Sequence, residues 1–260
     1  MNVGASDQSK TPPPNRSWIA SAAVGSARVV LPPSCLTCGV PTSNEGALCS
    51  DCWGSLSLIE RPYCDRLAVP FVYDHGPGTL SAEAIADPPP FERMRAAVLY
   101  EGVARQLVQG LKYGDHLELI RWMANWMARA GSEIIAEADI IVPVPLHWRR
   151  LWHRRFNQSA ALADAIARKT DKPVALAAVK SVRPTRNQVG LGEKARSANV
   201  RGAFGLDDRR RPDVAGRRVL VIDDVYTTGA TMKAVTRALK RCRANAVDAL
   251  VFARVAQEAG

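Results

Sequence analysis

From about residue 91 onward the apolar positions fall into short continuous runs that alternate with amphipathic stretches. Ala96–Tyr100 predicts a short strand and Gly102–Leu111 a helix. Leu117–Ala130 predicts a second helix, with Leu117, Ile120, Ala124 and Met127 on one face at helical spacing. Ile140-Ile141-Val142-Pro143-Val144-Pro145 predicts a buried strand, Gln158–Arg168 an Ala-rich helix, and Val174–Val179 a further strand. The last unit is the clearest: strand Val219–Ile222, a loop, helix Ala230–Arg243, strand Val247–Ala253. Strands that are apolar throughout, alternating with helices, predict an α/β fold: a parallel sheet with helices on both faces. Such sheets bind ligands at the carboxyl ends of their strands, here the loops after Pro145 and after Ile222.

Before residue 91 the pattern changes. Residues 1–30, rich in Ser, Ala and Pro, predict a flexible tail. Lys10 and Arg16 precede a weakly apolar stretch, but Ser21, Ser26 and Arg28 interrupt it, which argues against an export signal. Residues 31–75 hold five of the six cysteines and predict a small separate domain. Residues 76–90 carry Gly76-Pro77-Gly78 and Pro88-Pro89-Pro90, predict a linker, and lead into the α/β domain of residues 91–260. No stretch is apolar over the ~18 residues that a membrane-spanning helix needs. At 47% hydrophobic and 23% charged, the 260 residues are not those of a disordered chain.

Cys35-x-x-Cys38 and Cys49-x-x-Cys52 have the spacing of four metal ligands. Each pair forms a tight knuckle, and two knuckles complete a tetrahedron around one structural Zn²⁺. An iron–sulfur cluster or two disulfides fit the same spacing. Without an export signal, reduced thiols and a cytoplasmic location are expected. The first knuckle has an echo: Cys35-Leu-Thr-Cys38-Gly-Val-Pro41 returns as Cys64-Asp-Arg-Leu67-Ala-Val-Pro70, with Leu67 where the second thiol belongs. The echo predicts a knuckle without metal, and Cys64 as a free thiol.

The net charge is +10, and residues 147–218 alone carry 18 basic and 6 acidic groups, net +12. Such a block attracts phosphate, on a nucleic acid or on a small ligand. After Pro145 stand His147, Trp148, Arg149, Arg150, Trp152, His153, Arg154 and Arg155. The arginines suit bidentate contact with a polyphosphate. Either histidine could move a proton, although no carboxylate partner is visible nearby. The tryptophans also fit a single-stranded DNA stripe, stacking on bases. The polar, Gly-containing stretch from Arg183 to Phe204, with Thr185 and Gln188, predicts a lid or a surface loop.

Val219–Ile222 runs into Asp223-Asp224, then Thr227-Thr228-Gly229-Ala230-Thr231 and a helix. A strand feeding a helix through small residues aims backbone N–H groups and the helix N-terminus at one point, which suits a phosphate. Gly229 allows close approach and the threonines add donors. Paired carboxylates beside that point make sense as acceptors for sugar hydroxyls.

Val219–Thr231 resembles the phosphoribosyl-pyrophosphate (PRPP) motif of type I phosphoribosyltransferases. The wider chain resembles the ComF family, in which a zinc ribbon precedes a phosphoribosyltransferase-like domain. Cys35–Cys52, Leu111-Lys112-Tyr113, Ile141–Asn157 and Arg183–Phe204 carry that likeness too. The resemblance implies that Asp223 and Asp224 hold the ribose hydroxyls and that Thr227, Thr228, Gly229, Ala230 and Thr231 cradle the 5-phosphate. It implies a pyrophosphate loop at Arg149, Arg150, Arg154 and Arg155, a hood at Arg183, Thr185 and Gln188, and Mg²⁺ bound with PRPP. It assigns no catalytic residue. Where many relatives look like double ribbons, the Leu67 departure leaves one zinc expected. The family association with DNA uptake adds single-stranded DNA and competence-machinery proteins as partners.

Overall fold

The structure is a computed structural model, and it describes residues 32–113, 117–146, 156–182, 202–206, 209 and 211–256. The chain divides into two compact units, residues 1–49 and 50–260.

In the first unit the Cys35 knuckle closes through Cys35 N–H donating to the Val40 carbonyl at 2.8 Å and Gly39 N–H donating to the Cys35 carbonyl at 3.2 Å. A single bridge between Ser34 and Pro41 flanks it. Gly39 sits at φ 75°, the left-handed turn that a knuckle requires.

The second unit opens with helix α1 (Ser50–Gly54). It then repeats the knuckle bond for bond: Cys64 N–H donates to the Val69 carbonyl at 2.8 Å, Ala68 N–H donates to the Cys64 carbonyl at 2.7 Å, and Tyr63 bridges Pro70. Ala68, at φ 49°, stands in for Gly39. Cys64 and Leu67 are 0% and 1% exposed, packed in the main apolar core. The expected free thiol is therefore sealed from solvent. Two buried arginines grip this knuckle by its backbone. Arg254 donates to the Leu67 carbonyl at 3.0 Å and to Glu83 at 3.1 Å. Arg95 donates to the Asp65 carbonyl and carboxylate, each at 2.9 Å, and pairs with Glu133. Packing and these charge-assisted bonds hold a turn of the kind that thiolates and metal hold elsewhere.

Helix α2 (Ala82–Ala86) occupies part of the expected linker, capped by Ser81. The α/β core follows as β1 (Met94–Leu99), α3 (Gly102–Tyr113), α4 (Leu117–Ala130), α5 (Ser132–Glu137), β2 (Ile140–Pro143), α6 (Gln158–Thr170), β3 (Val179–Ser181), β4 (Phe204–Leu206), α7 (Arg211–Val214), β5 (Arg218–Tyr226), α8 (Ala230–Arg241) and β6 (Ala246–Arg254). The sheet runs β1-β6-β5-β2, parallel throughout. Its β1 edge is covered by residues 57–59, where Ile59 N–H donates to the Ala97 carbonyl at 3.0 Å.

Helices cover both faces, as the alternation required. Val219 and Val221 of β5 and Val247, Ala249 and Val251 of β6 pack in one buried cluster with Met232, Val235 and Leu239 of α8. On the other face α4 and α6 lie against each other and the sheet, with Trp122 meeting Phe252 edge-on at 6.1 Å. The strand expected over Val174–Val179 is two things. Val174 makes one parallel bridge to Ile141, and the chain then turns away to pair β3 antiparallel with β4.

Candidate functional site

β5 extends past the expected end at Ile222, because β6 runs alongside it as far as Arg254. Asp223 pairs with Val251 and Tyr226 with Arg254. Asp223 and Asp224 thus ride on the last rungs of a central strand, half-buried at its carboxyl end. Ser159 Oγ donates to Asp223 Oδ1 at 2.8 Å, and Asp224 N–H donates to the same oxygen at 3.0 Å. Burial, and then the neighbouring Asp224 charge, push the Asp223 carboxyl from its ordinary value of 3.8 to about 7. Lys112 Nζ lies 3.1 Å from Asp224 Oδ2, reaching across from the end of α3.

Beyond Tyr226 the chain turns through Thr227 and Thr228 into α8. Gly229 is its N-cap at φ 72°, and no side chain caps the helix. Thr228 Oγ1 is buried without a partner. A buried orphan donor beside an uncapped helix start fits an anion, which takes hydrogen bonds from both. The space beside Gly229 belongs to the protein: a Cβ there would lie 2.5 Å from Cζ of Tyr226, whose ring is 2% exposed. The small residue serves Tyr226 packing, which motif reading alone does not reveal.

Arg149, Arg150, Arg154 and Arg155, and Arg183, Thr185 and Gln188, lie outside the described residues. The chain flanking both stretches is described. Asn157 Nδ2 donates to the Val144 carbonyl at 3.1 Å while its Oδ1 caps α6, accepting from Ser159 and Ala160 N–H. The two ends of the basic loop are therefore tied together two residues from the Ser159–Asp223 bond. Likewise, Val182 N–H donates to the Ala203 carbonyl at 2.8 Å, which ties the residues flanking the second stretch to the β3–β4 pair, and that pair packs on α8.

Sequence reading missed Ser159, Tyr226 and Lys112 as parts of the site. A serine in the first turn of a helix reads as a helix-start preference, and a lysine in the last turn as dipole compensation. Only the fold brings them to Asp223 and Asp224.

The four cysteines converge, with all four sulfurs within 4.8 Å of one another. Cys38 and Cys49 Sγ are 3.6 Å apart, close to the ~3.8 Å that ~2.3 Å Zn–S bonds give in a tetrahedron. Burial pushes the Cys35 thiol up, but backbone N–H groups of Cys38, Cys49 and Thr37 more than offset it and bring it down to about 6. A four-sulfur set with a thiolate-favouring backbone fits a structural zinc with no open position. Among the described residues it is the single such cluster.

A parallel sheet with helices on both faces, ending in this acid pair and preceded by a four-cysteine ribbon, defines a zinc-ribbon protein with a phosphoribosyltransferase-like domain. The double zinc ribbon domain family matches residues 26–85, and the phosphoribosyl transferase domain family matches residues 157–260. DNA utilization protein YhgH of Escherichia coli (strain K12) is 28% identical over 87% of this chain and 99% of its own length. Competence protein F of Haemophilus influenzae is 28% identical over 81% of this chain and 91% of its own. The chain is thus similar over most of its length to competence protein F-like proteins, and it matches both a zinc-ribbon and a phosphoribosyl transferase domain model. A solved structure of the allosteric regulatory enzyme of purine biosynthesis overlaps at 20% identity and a TM-score of 0.38, over 55% of this chain and 30% of that one; so loose an overlap adds nothing to the assignment. No described helix is long and apolar enough to cross a membrane.

Proposed function

We propose that this protein binds PRPP, or a closely related sugar phosphate, at the end of β5. Asp223 and Asp224 accept the ribose hydroxyls, and residues 227–231 receive the 5-phosphate. Arg149, Arg150, Arg154 and Arg155 meet the pyrophosphate, and the segment with Arg183, Thr185 and Gln188 closes over the ligand. Mg²⁺ would be held mostly by the ligand rather than by a protein site, and would supply charge neutralisation of the leaving group. The chemistry this arrangement serves is displacement of pyrophosphate from C1 of the ribose by a nitrogen nucleophile. The observation that carries the reading is the juxtaposition of the acid pair with the uncapped α8 start and the orphan Thr228 hydroxyl. The names of the relatives, a DNA utilization protein and a competence protein, support a role linked to DNA uptake, and four metal-bound thiolates suit a reducing compartment such as the cytoplasm.

Calorimetry with PRPP and Mg²⁺ tests the reading. Asp224→Ala removes one hydroxyl acceptor, worth roughly 1.5–3 kcal/mol to a charged group, so affinity should fall about ten- to a hundredfold. Pyrophosphate release with a panel of nitrogenous acceptors then tests turnover. No PRPP binding by the parent protein defeats the reading.

The acid pair carries a pH signature. Between its ordinary value of 3.8 and about 7 the folded Asp223 keeps a proton that the unfolded chain has lost. Its contribution to stability is full below that window and is lost as pH rises through it. Asp223→Asn should therefore raise the melting temperature at pH 8 while weakening PRPP. A lowered melting temperature would show that the buried charge is not a burden.

A second reading draws on the +12 segment and the name DNA utilization protein: single-stranded DNA gripped by the basic loop. Its affinity would fall steeply with added salt through counterion release, and Arg149→Ala with Arg150→Ala would weaken DNA while leaving PRPP unchanged.

A further inference from the structure

Lys112 is the one part of the site that comes from the first half of the α/β core. Its helix is held by other residues: Val103, Ala104, Leu107, Val108 and Leu111 are all buried. The Lys112 ammonium projects to Asp224 Oδ2 at 3.1 Å, with both side chains only partly accessible. The charged groups facing Asp223 are Asp224 on its own strand and Lys112 on α3. Ser159 of α6 adds only an uncharged hydroxyl.

Two adjacent carboxylates repel, and sharing a proton would relieve them. A protonated pair is a poor acceptor for two sugar hydroxyls, because one of its oxygens has become a donor. A doubly charged pair is an open invitation to a divalent cation. A lysine against one member works against both outcomes.

We propose that Lys112 sets the charge of the Asp223–Asp224 pair, offsetting part of its negative charge so that the pair becomes a fully ionised acceptor of hydroxyls near neutral pH rather than well above it. Lys112 is on this view a positioning residue that acts through the acids. The inference rests on the sugar-phosphate reading for its purpose but not for its physics. The α3 helix places a cation over an acid pair that lies 112 positions away in the chain. As a bare ion pair it would be worth little to stability, so its effect belongs to the titration of the pair.

The test compares the parent with Lys112→Met and Lys112→Arg. In the free proteins, carboxyl carbon NMR of labelled aspartate follows the titration of Asp223. Lys112→Met should move its midpoint up by about one pH unit, and Lys112→Arg should leave it near the parent's. With ribose 5-phosphate as ligand, Lys112→Met should bind about tenfold more weakly than the parent at pH 6 and within about twofold of it at pH 9. An unmoved midpoint overturns the proposal. So does a loss of affinity equal at every pH, which would make Lys112 a direct ligand contact. If the parent binds neither ribose 5-phosphate nor PRPP, the ligand reading fails, and the free-protein titration still decides whether Lys112 sets the charge of the pair.

Discussion

Gly229→Val should abolish PRPP binding and lower the stability of the free protein by about 2–4 kcal/mol. Two costs add. The residue sits at φ 72°, where an L side chain costs about 1–2 kcal/mol. The new Cβ would lie 2.5 Å from Cζ of Tyr226 and closer still to its hydroxyl. Tyr226 cannot simply swing away, because it is buried and packs edge-on against Phe91 at 6.4 Å; overpacking of that kind costs about 1–3 kcal/mol. Moving Tyr226 also drags the end of β5, and with it Asp224 two residues earlier. Gly229→Ala carries the same φ and the same Cβ and should show most of the loss. Thermal unfolding and calorimetry on both variants are the check. An alanine variant that melts with the parent and binds PRPP normally would refute the close packing.

Purified protein should contain one zinc per chain, and Cys52→Ser should release it and unfold the first knuckle. Structural zinc contributes about 10–16 kcal/mol in small ribbons, and a site of this kind does not persist without it. Metal analysis with limited proteolysis reads both effects: zinc falls to near zero, and cleavage appears between residues 32 and 56. The second knuckle should be indifferent to chelators, since Leu67 offers no ligand and Arg95 and Arg254 hold its backbone. Two zincs per chain, or iron with visible absorbance, would contradict this account.

The elements of the α/β core were legible wherever apolar runs were long and bounded. Leu117–Ala130 matches α4 at both ends. The three-residue strands β3 and β4 were not legible, because strands so short carry no periodic signal and exist only through each other. The extent of β5 was hidden for a related reason. Asp223 and Asp224 look like the end of a strand, yet β6 supplies their backbone partners.

The sequence by itself determined the chemistry available: four thiols at ligand spacing, two adjacent acids, a small-residue turn into a helix, and a block of arginines. Each is local, since residues a few positions apart are held to a few ångströms by the chain itself. Tertiary structure decided what that chemistry faces. It put Ser159 against Asp223, Lys112 against Asp224 and Tyr226 against Gly229, and it closed the metal-free knuckle around a core and two buried arginines. The Ser159 and Lys112 contacts join residues separated by 64 and by 112 positions, and contacts at that range are set by sheet order and helix packing. The Tyr226–Gly229 contact is short in sequence but depends on a core that fixes the ring. No pattern along the chain encodes these positions, because they arise only once distant apolar faces have been buried together.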